Sequence, residues 1–154
     1  MQIGIDTSVI IGLLDSRDIW HIPAVSLQEA ITAAELQPVY FDCALAEAMS
    51  TIARRLREKG REAELAGLLD RLLADFPTDT ITWILPDVPL LYSQVVELIR
   101  SSKGELNFND GLMALACRER NIPTFASFDR DFDSISWLTR VAAPKDIETM
   151  LAAG

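Results

Sequence analysis

The sequence predicts an α/β protein in which a parallel β-sheet is covered on both faces by helices. Short apolar segments of strand length alternate with longer segments in which apolar residues recur at helical spacing. The strand segments are apolar along their whole length, as expected for strands buried on both faces. The chain has 154 residues, 49% of them hydrophobic, which suffices for one domain with its own core. We therefore expect a single domain over residues 1–154.

The first strand and helix are separated by one acidic residue. A short apolar strand at residues 3–5 ends at Asp6, and Thr7 or Ser8 then caps a helix that runs toward Leu14.

The next segments predict a second strand and a helical hairpin. A capping-box pattern at residues 26–29 opens a helix or tightens the entry to it, and this helix continues to about residue 36. A strand follows at residues 38–41. Helical spacing then runs over residues 44–56 and resumes over residues 65–73, which indicates two helices that pack side by side.

The remaining segments predict three strands and two helices. A third strand is expected at residues 81–84, followed by helices at 90–101 and 110–120, and the last two strands at 123–126 and 138–141. No repeat or low-complexity linker interrupts the series.

Charge and hydropathy exclude some functions. The chain carries 14 basic and 23 acidic residues, a net charge of −9, which argues against a protein that coats nucleic acid. The charge does not argue against an enzyme that gathers acidic residues around divalent cations. The apolar run at residues 9–14 is too short for a membrane span and has no basic segment before it, so we expect a cytoplasmic protein without membrane contact.

The cysteines and the histidine suggest no chemistry of their own. Cys43 and Cys117 lack the spacing of a zinc or redox motif, and we expect two reduced, packed thiols. His21 is the only histidine, and a lone histidine is more often structural than a ligand, so a zinc site is disfavoured.

Four acidic residues stand at the joints of the predicted elements: Asp6, Glu47, Asp110 and Asp129. Functional groups gather beyond the carboxyl ends of parallel strands, so these four side chains can converge on one edge of the sheet. Each alone has a simpler explanation, because Asp and Glu near a helix start cap the helix or complement its dipole.

Four segments in order resemble the signature blocks of PIN-domain ribonucleases, and most closely those of small VapC-type toxins from toxin-antitoxin pairs. The segments are MQIGIDTSVIIGLL, LAEAMSTIARRL, LNFNDGLMALACRERNIP and ASFDRDFDSI. The resemblance covers nearly the whole chain. It implies a three-layer fold with a five-stranded parallel sheet in the order 3-2-1-4-5, and the activity of a metal-dependent endoribonuclease.

The resemblance also implies roles for individual residues. The catalytic acids would be Asp6, Glu47, Asp110 and Asp129, and the first, third and fourth of these would contact metal. Thr7, Ser8 and Asp131 would support the site. The chain departs from the family pattern at Gly111, where alanine is common, and at Ser127, where threonine is common.

Cofactor and partners follow from the same resemblance. Magnesium or manganese suits a carboxylate site, because hard cations prefer oxygen ligands, and such an ion can activate water to attack a phosphodiester. RNA would be the substrate, and the basic residues Arg54, Arg55 and Arg57 could contact it, although such a run is more often a solvated face. A homodimer and an antitoxin helix in a groove would complete the assembly, with Trp20, Trp83 and Trp137 contributing apolar surface.

Three alternatives remain at this point. A phosphatase of the haloacid dehalogenase type needs a second aspartate two residues after Asp6, where Ser8 stands. A receiver domain needs a phosphorylated aspartate after the third strand, where Asp87 follows Pro86. The third alternative is an inactive PIN-like module that only binds RNA or protein.

Overall fold

A computed structural model describes residues 1–152, which form five strands and seven α-helices. The strands are β1 (Gln2–Ile5), β2 (Gln37–Phe41), β3 (Ile81–Thr82), β4 (Thr124–Ala126) and β5 (Thr139–Val141). The helices are α1 (Thr7–Leu14), α2 (His21–Ala33), α3 (Asp42–Glu58), α4 (Leu65–Asp75), α5 (Val88–Ser101), α6 (Phe108–Glu119) and α7 (Pro144–Ala152).

The five strands form one parallel sheet in the order β3-β2-β1-β4-β5. This confirms the predicted fold class and strand order. β1 is central, with Gly4 opposite Val39 of β2 on one side and Phe125 of β4 on the other. Because the chain leaves β1 toward β2 and later crosses back to β4, the strand order reverses between β1 and β4. A crevice is expected at that point, beyond the carboxyl ends of the two strands.

The core requires a glycine where the central strand meets β4. A Cβ atom on Gly4 would lie 2.6 Å from the ring of Phe125 and 3.1 Å from the sulfur of Cys117. Phe125 also packs against Phe132 with ring centroids 4.6 Å apart. Replacing Gly4 with any larger residue would force these buried groups apart, so this close contact fixes β1 against its neighbours.

The second helix begins earlier than its capping-box pattern predicted. Helix α2 starts at His21, and Ser26 lies inside it. A tight turn precedes the helix, in which the Asp18 carboxylate accepts the N–H of Trp20 at 2.9 Å. Pro23 then occupies the first helical turn, where its missing N–H costs nothing. A helix start at Ser26 was therefore wrong: the chain enters the helix directly from this turn, and Trp20, the residue before the helix, makes no side-chain capping bond.

Other boundaries also differ from the prediction. Strand β3 is only two residues long, because the buried carboxylate of Asp42 accepts the N–H groups of Ile84 and Leu85, both at 3.0 Å, and turns the chain away from the sheet. Helix α7 was not predicted. Only Ile147 is buried along it, so its apolar residues give too weak a helical repeat to be recognised in the sequence. The predicted hairpin is present as α3 and α4.

The two cysteines and the histidine, for which no chemistry was expected, pack within the fold. Cys43 and Cys117 are free and buried, as predicted, and burial raises the pKa of each thiol to about 12. The Nδ1 atom of His21 lies 2.8 Å from the carbonyl oxygen of Gly12, so this nitrogen donates and the ring fastens α2 to α1. Over residues 1–152, every helix is too short or too polar to cross a bilayer.

Candidate active site

The region beyond the carboxyl ends of β1 and β4, where the strand order reverses, is called the crevice, and the residues that follow these two strands border it. Asp6 directly follows β1, and its N–H donates to the carbonyl of Ala126, the last residue of β4, at 3.0 Å. The chain continues from β4 through Ser127 to Asp129. Two of the four predicted acids therefore lie on either side of the point where strand order reverses.

Asp6 is buried and held by hydroxyl groups. One carboxylate oxygen, Oδ2, accepts bonds from the Ser8 hydroxyl at 2.5 Å, the Ser127 hydroxyl at 2.7 Å and the Ser8 N–H at 3.3 Å. Burial raises the pKa of Asp6, and the bonds from Ser8 and Ser127 only partly oppose that rise. Asp6 thus caps α1, as expected for an aspartate at a helix start. Its hydrogen-bond partners, Ser8 and Ser127, are uncharged, so none of them compensates its negative charge.

Asp110 is the second buried acid of the crevice. Helix α6 starts with a capping box in which Asn107 accepts the N–H of Asp110 at 3.0 Å and Asp110 Oδ2 accepts the N–H of Asn107 at 2.8 Å. Burial, together with the negative charges of Asp6, Glu47 and Asp129, raises the pKa of Asp110 to about 7, although the bond from Asn107 opposes the rise.

The charges that act on Asp110 are the three other predicted acids. The structure therefore brings the four residues close enough to interact electrostatically. Glu47 lies in the second turn of α3, because α3 begins at Asp42, two residues before the predicted start of helical spacing at residue 44. Its carboxylate accepts a bond from the side-chain amide of Asn109 at 2.8 Å, which links α3 to α6 across the crevice.

The loop after β4 carries the last of the four acids. Asp129 accepts the N–H of Asp131 at 2.9 Å and so caps a short 3-10 helix, Arg130–Ser134. The N–H of Asp129 donates to the Ser127 hydroxyl at 2.9 Å, which connects this loop to Asp6. Burial and the charge of Asp129 raise the pKa of Asp131. Asp133, in contrast, is paired with Arg140 at 2.7 Å and points to a structural role.

The acids do not form a closed set of metal ligands. Within residues 1–152, no three carboxylate, imidazole or thiol groups are placed to hold an ion by themselves. Such an open arrangement fits magnesium, which keeps several waters and is usually bound through one or two carboxylates together with substrate phosphates. It does not fit structural zinc, which needs four protein ligands.

The predicted supporting residues contact the site in different ways. Ser8 bonds Asp6 directly, as described above, and the Thr7 hydroxyl donates to the carbonyl of Ala44 in α3 at 3.4 Å. Thr7 therefore joins the end of β1 to the helix that carries Glu47.

The predicted RNA-contacting arginines lie at the far end of α3. Arg54 pairs with Glu58 at 3.2 Å, and Arg55 pairs with the buried carboxylate of Asp18 at 2.8 Å. Arg57 is exposed. Because a helix rises about 1.5 Å per residue, Arg54 is about 10 Å along α3 from Glu47, and on the same face. Contact between these arginines and RNA stays a prediction.

Two residues of the site were not singled out from the sequence. Asn109 orients Glu47, and the adjacent Asn109-Asp110 pair in the helix start was the available signal. Asp42 is buried and holds the turn after β3, but nothing in its sequence context distinguishes it from a first-turn dipole residue.

Two of the three alternatives, the phosphatase and the receiver domain, find no support in the geometry. Ser8, which stands where a dehalogenase-type phosphatase needs an acid, is a hydrogen-bond donor to Asp6. Asp87, the candidate phosphorylation site of a receiver domain, is paired with Arg120 at 2.9 Å.

Comparisons with known proteins identify relatives of the fold. The PIN domain family matches residues 3–138. Among solved structures, the chain is similar to the VapC20 toxin of Mycobacterium tuberculosis, described as a toxin that cleaves the sarcin-ricin loop. That similarity has 20% sequence identity and a TM-score of 0.62, and it covers 87% of this chain and 95% of the toxin chain. No curated protein matches the chain by sequence.

Proposed function

We propose, since this chain belongs to the PIN domain family, that it is a metal-dependent endoribonuclease. The observation that carries the proposal is the pair of buried carboxylates, Asp6 and Asp110, in a crevice shared with Glu47 and Asp129. The pKa of Asp110 is raised first by burial and then by the negative charges of the other three acids, and no cation is among the groups that shift it to balance these charges. A divalent ion would supply that balance.

The donor set of the crevice suits magnesium or manganese. Asp6, Asp110 and Asp129 would hold the ion only together with bound water and substrate phosphate, because within residues 1–152 no three such groups are placed to hold it by themselves. Asp6 and Asp110 each receive their side-chain hydrogen bonds on Oδ2, which leaves Oδ1 for another partner. When bound, the ion would lower the pKa of water and stabilise charge on the phosphodiester.

The residues of the chain itself orient these groups. The Ser8 and Ser127 hydroxyls fix one oxygen of Asp6, and the capping box fixes the rotamer of Asp110. Asn109 holds Glu47 on the opposite wall, where Glu47 would accept a proton from the attacking water.

The biological role we propose is that of the toxin in a type II toxin-antitoxin pair. The fold similarity to a VapC toxin supports this role. The protein would act in the cytoplasm as a homodimer, inhibited by an antitoxin whose helix lies in an apolar groove. Trp20 and Trp83 are exposed and could contribute to such contacts, whereas Trp137 donates its indole N–H to the carbonyl of Ala114 at 3.0 Å.

The decisive experiment measures cleavage of a labelled RNA with manganese and with EDTA. We expect cleavage only with manganese, and a loss of more than about a hundredfold in Asp110→Asn, because removing even a residue that orients a ligand costs 10- to 100-fold. Asparagine keeps the acceptor for the N–H of Asn107, so the helix start is preserved. Asp75→Asn is the matched control, since Asp75 forms an exposed ion pair with Arg71 on α4.

Two results would contradict parts of the proposal. A parent protein that binds RNA but does not cleave it with manganese or magnesium would favour the inactive PIN-like module. A monomer in light scattering at micromolar concentration would remove the homodimer and leave the nuclease untouched.

A further inference from the structure

A stacked pair of aromatic rings borders the crevice. Trp20, in the turn before α2, lies parallel to Phe128, with ring centroids 4.7 Å apart and an interplanar angle of 8°. Phe128 is half-buried, and Trp20 is 41% exposed. Phe128 therefore covers one face of the tryptophan ring, while the Trp20 residue as a whole keeps a large part of its surface open to solvent.

The pair is connected to the candidate active site through a short chain of hydrogen bonds. Phe128 stands between Ser127, which bonds Asp6, and Asp129. Its N–H donates to the Ser8 hydroxyl at 3.2 Å, and that hydroxyl donates to Asp6. The rings are thus attached directly to the loop that positions two of the four acids.

The backbone of Trp20 is held in place by neighbouring elements. The Asp18 carboxylate accepts the Trp20 N–H through Oδ1 and pairs with Arg55 of α3 through Oδ2. A Cβ on Gly12 would lie 2.9 Å from the carbonyl oxygen of Trp20, so only glycine lets this turn pack so closely on α1. An exposed ring on such a fixed backbone is pre-organised, which lowers the entropy lost on binding.

We propose that the exposed part of the Trp20 ring, backed by Phe128, stacks on a base of the RNA substrate next to the bond that is cleaved. The inference rests on the proposed function and adds a binding position to the same site. Proteins commonly hold unpaired bases on aromatic side chains. With a net charge of −9, this chain gains little from general attraction to phosphates, so stacking would add affinity beyond the local contacts of phosphate with the metal ion and α3.

The competing occupant of this surface is a protein. Ile19 and Ile22 flank Trp20 and are 84% and 76% exposed, and an apolar patch of this kind can bind a helix. RNA is favoured because Phe128 belongs to the loop that carries Asp129 and bonds Asp6. In the proposed function, the substrate lies against these two acids. A base requires the ring plane, whereas a protein partner would also require the isoleucines.

The test measures how tightly the parent and variant proteins bind short single-stranded RNA probes. The binding buffer contains calcium instead of manganese. The probes are oligoadenylate, oligouridylate and an abasic chain of equal length and charge. Trp20→Ala should weaken binding of oligoadenylate by roughly 5- to 150-fold, as expected for one stacked base, and leave the abasic chain unaffected. Trp20→Phe should restore most of the affinity, and Ile19→Ala with Ile22→Ala should leave it unchanged.

The outcomes separate this inference from the proposed function. If the parent binds RNA and Trp20→Ala binds oligoadenylate as the parent does, the stacking inference is overturned and the nuclease is unaffected. Equal losses in Trp20→Ala and the paired isoleucine variant would also overturn it, and a further loss of dimer in light scattering would assign the patch to a second copy. A parent that binds none of the probes would overturn the proposed function itself. Trp20→Phe guards against a folding defect in the alanine variant.

Discussion

Helix α1 has a buried aspartate at each end, and the two are treated in opposite ways. Asp6 at the start is 4% exposed and is bonded by two serine hydroxyls. Asp15 at the end is 8% exposed and is paired with Arg61, whose two nitrogens lie 2.9 and 3.3 Å from its oxygens. Burial raises the pKa of Asp6, whereas at Asp15 burial is outweighed by the Arg61 guanidinium and the pKa is lowered.

The difference distinguishes a carboxylate that serves the fold from one that we propose binds an ion. Around Asp15 the protein supplies the positive charge itself, and Arg61 also bonds Glu64 at 2.7 Å, so the cluster fastens the α3–α4 hairpin to the end of α1. Around Asp6 it supplies only uncharged donors, the hydroxyl groups of Ser8 and Ser127 and the N–H of Ser8, and Asp110 adds a second carboxylate. Leaving such charge uncompensated is unfavourable for folding, and it is expected where an external cation completes the site.

The largest expected difference between the two ends of α1 is in metal-dependent stability. At manganese about a hundred times its dissociation constant, the parent should gain about 2.7 kcal/mol, because the ion binds only the folded state. Asp6→Asn should gain much less, yet be as stable as the parent in EDTA, because asparagine caps a helix as well as aspartate does. Asp15→Asn should be less stable than the parent in both buffers and keep the full manganese shift. Thermal melts of the three proteins measure this.

Two results would contradict this contrast between the two aspartates. If Asp6→Asn were destabilised in EDTA and no protein responded to manganese, Asp6 would be only a helix cap. If both variants failed to show the manganese shift, the distinction between the two ends would be wrong.

A smaller effect is expected in the pH dependence of the metal-free protein. Because the pKa of Asp110 is raised from 3.8 to about 7, the folded state holds a proton that the unfolded state releases over this interval. The free energy of unfolding should therefore fall as pH rises from about 4 to about 7, by on the order of 2 kcal/mol. Asp110→Asn should flatten this fall. Asp15 acts in the reverse direction, since its lowered pKa contributes stability that is lost only as pH falls below about 4.

Urea unfolding in EDTA at several pH values measures the effect, with Asp15→Asn as the control that should keep the fall between pH 4 and 7. A parent whose stability rises over that interval would show that Asp110 is compensated by a charge within the protein.

The smallest effect concerns the basic end of α3. If Arg54 and Arg57 contact phosphates, Arg54→Ala with Arg57→Ala should weaken RNA binding with little change in stability. The slope of log affinity against log salt should become shallower by about 0.7 for each arginine–phosphate pair that is removed. Binding titrations at several salt concentrations measure this. Arg55→Ala should differ, because Arg55 holds Asp18 and so the Trp20 turn. An unchanged slope in the double variant would assign this end of α3, like Asp15, to structure alone.

Local sequence was enough to predict the five strands, six of the seven helices and the places where acids interrupt the series, but not α7. The spacing of apolar residues and the length of each apolar segment are local properties of the sequence. For this reason β1, the α3–α4 hairpin and the burial of β4 could be predicted without knowledge of distant contacts. The strand order came from family resemblance, which is information beyond the local pattern. Asp6 and Asp110 were identifiable because they stand at element starts in a recognisable order.

The balance of charges depends instead on contacts between distant segments. The sequence around Asp15 does not predict its contact with Arg61, which lies 46 residues away. The sequence around Trp20 likewise does not predict that its ring stacks on Phe128. The short β3 likewise depends on Asp42, which reaches across 42 residues to the N–H of Ile84. The pKa of a carboxylate and the exposure of a ring depend on the groups that folding brings within a few ångströms, and local spacing along the chain does not encode these contacts.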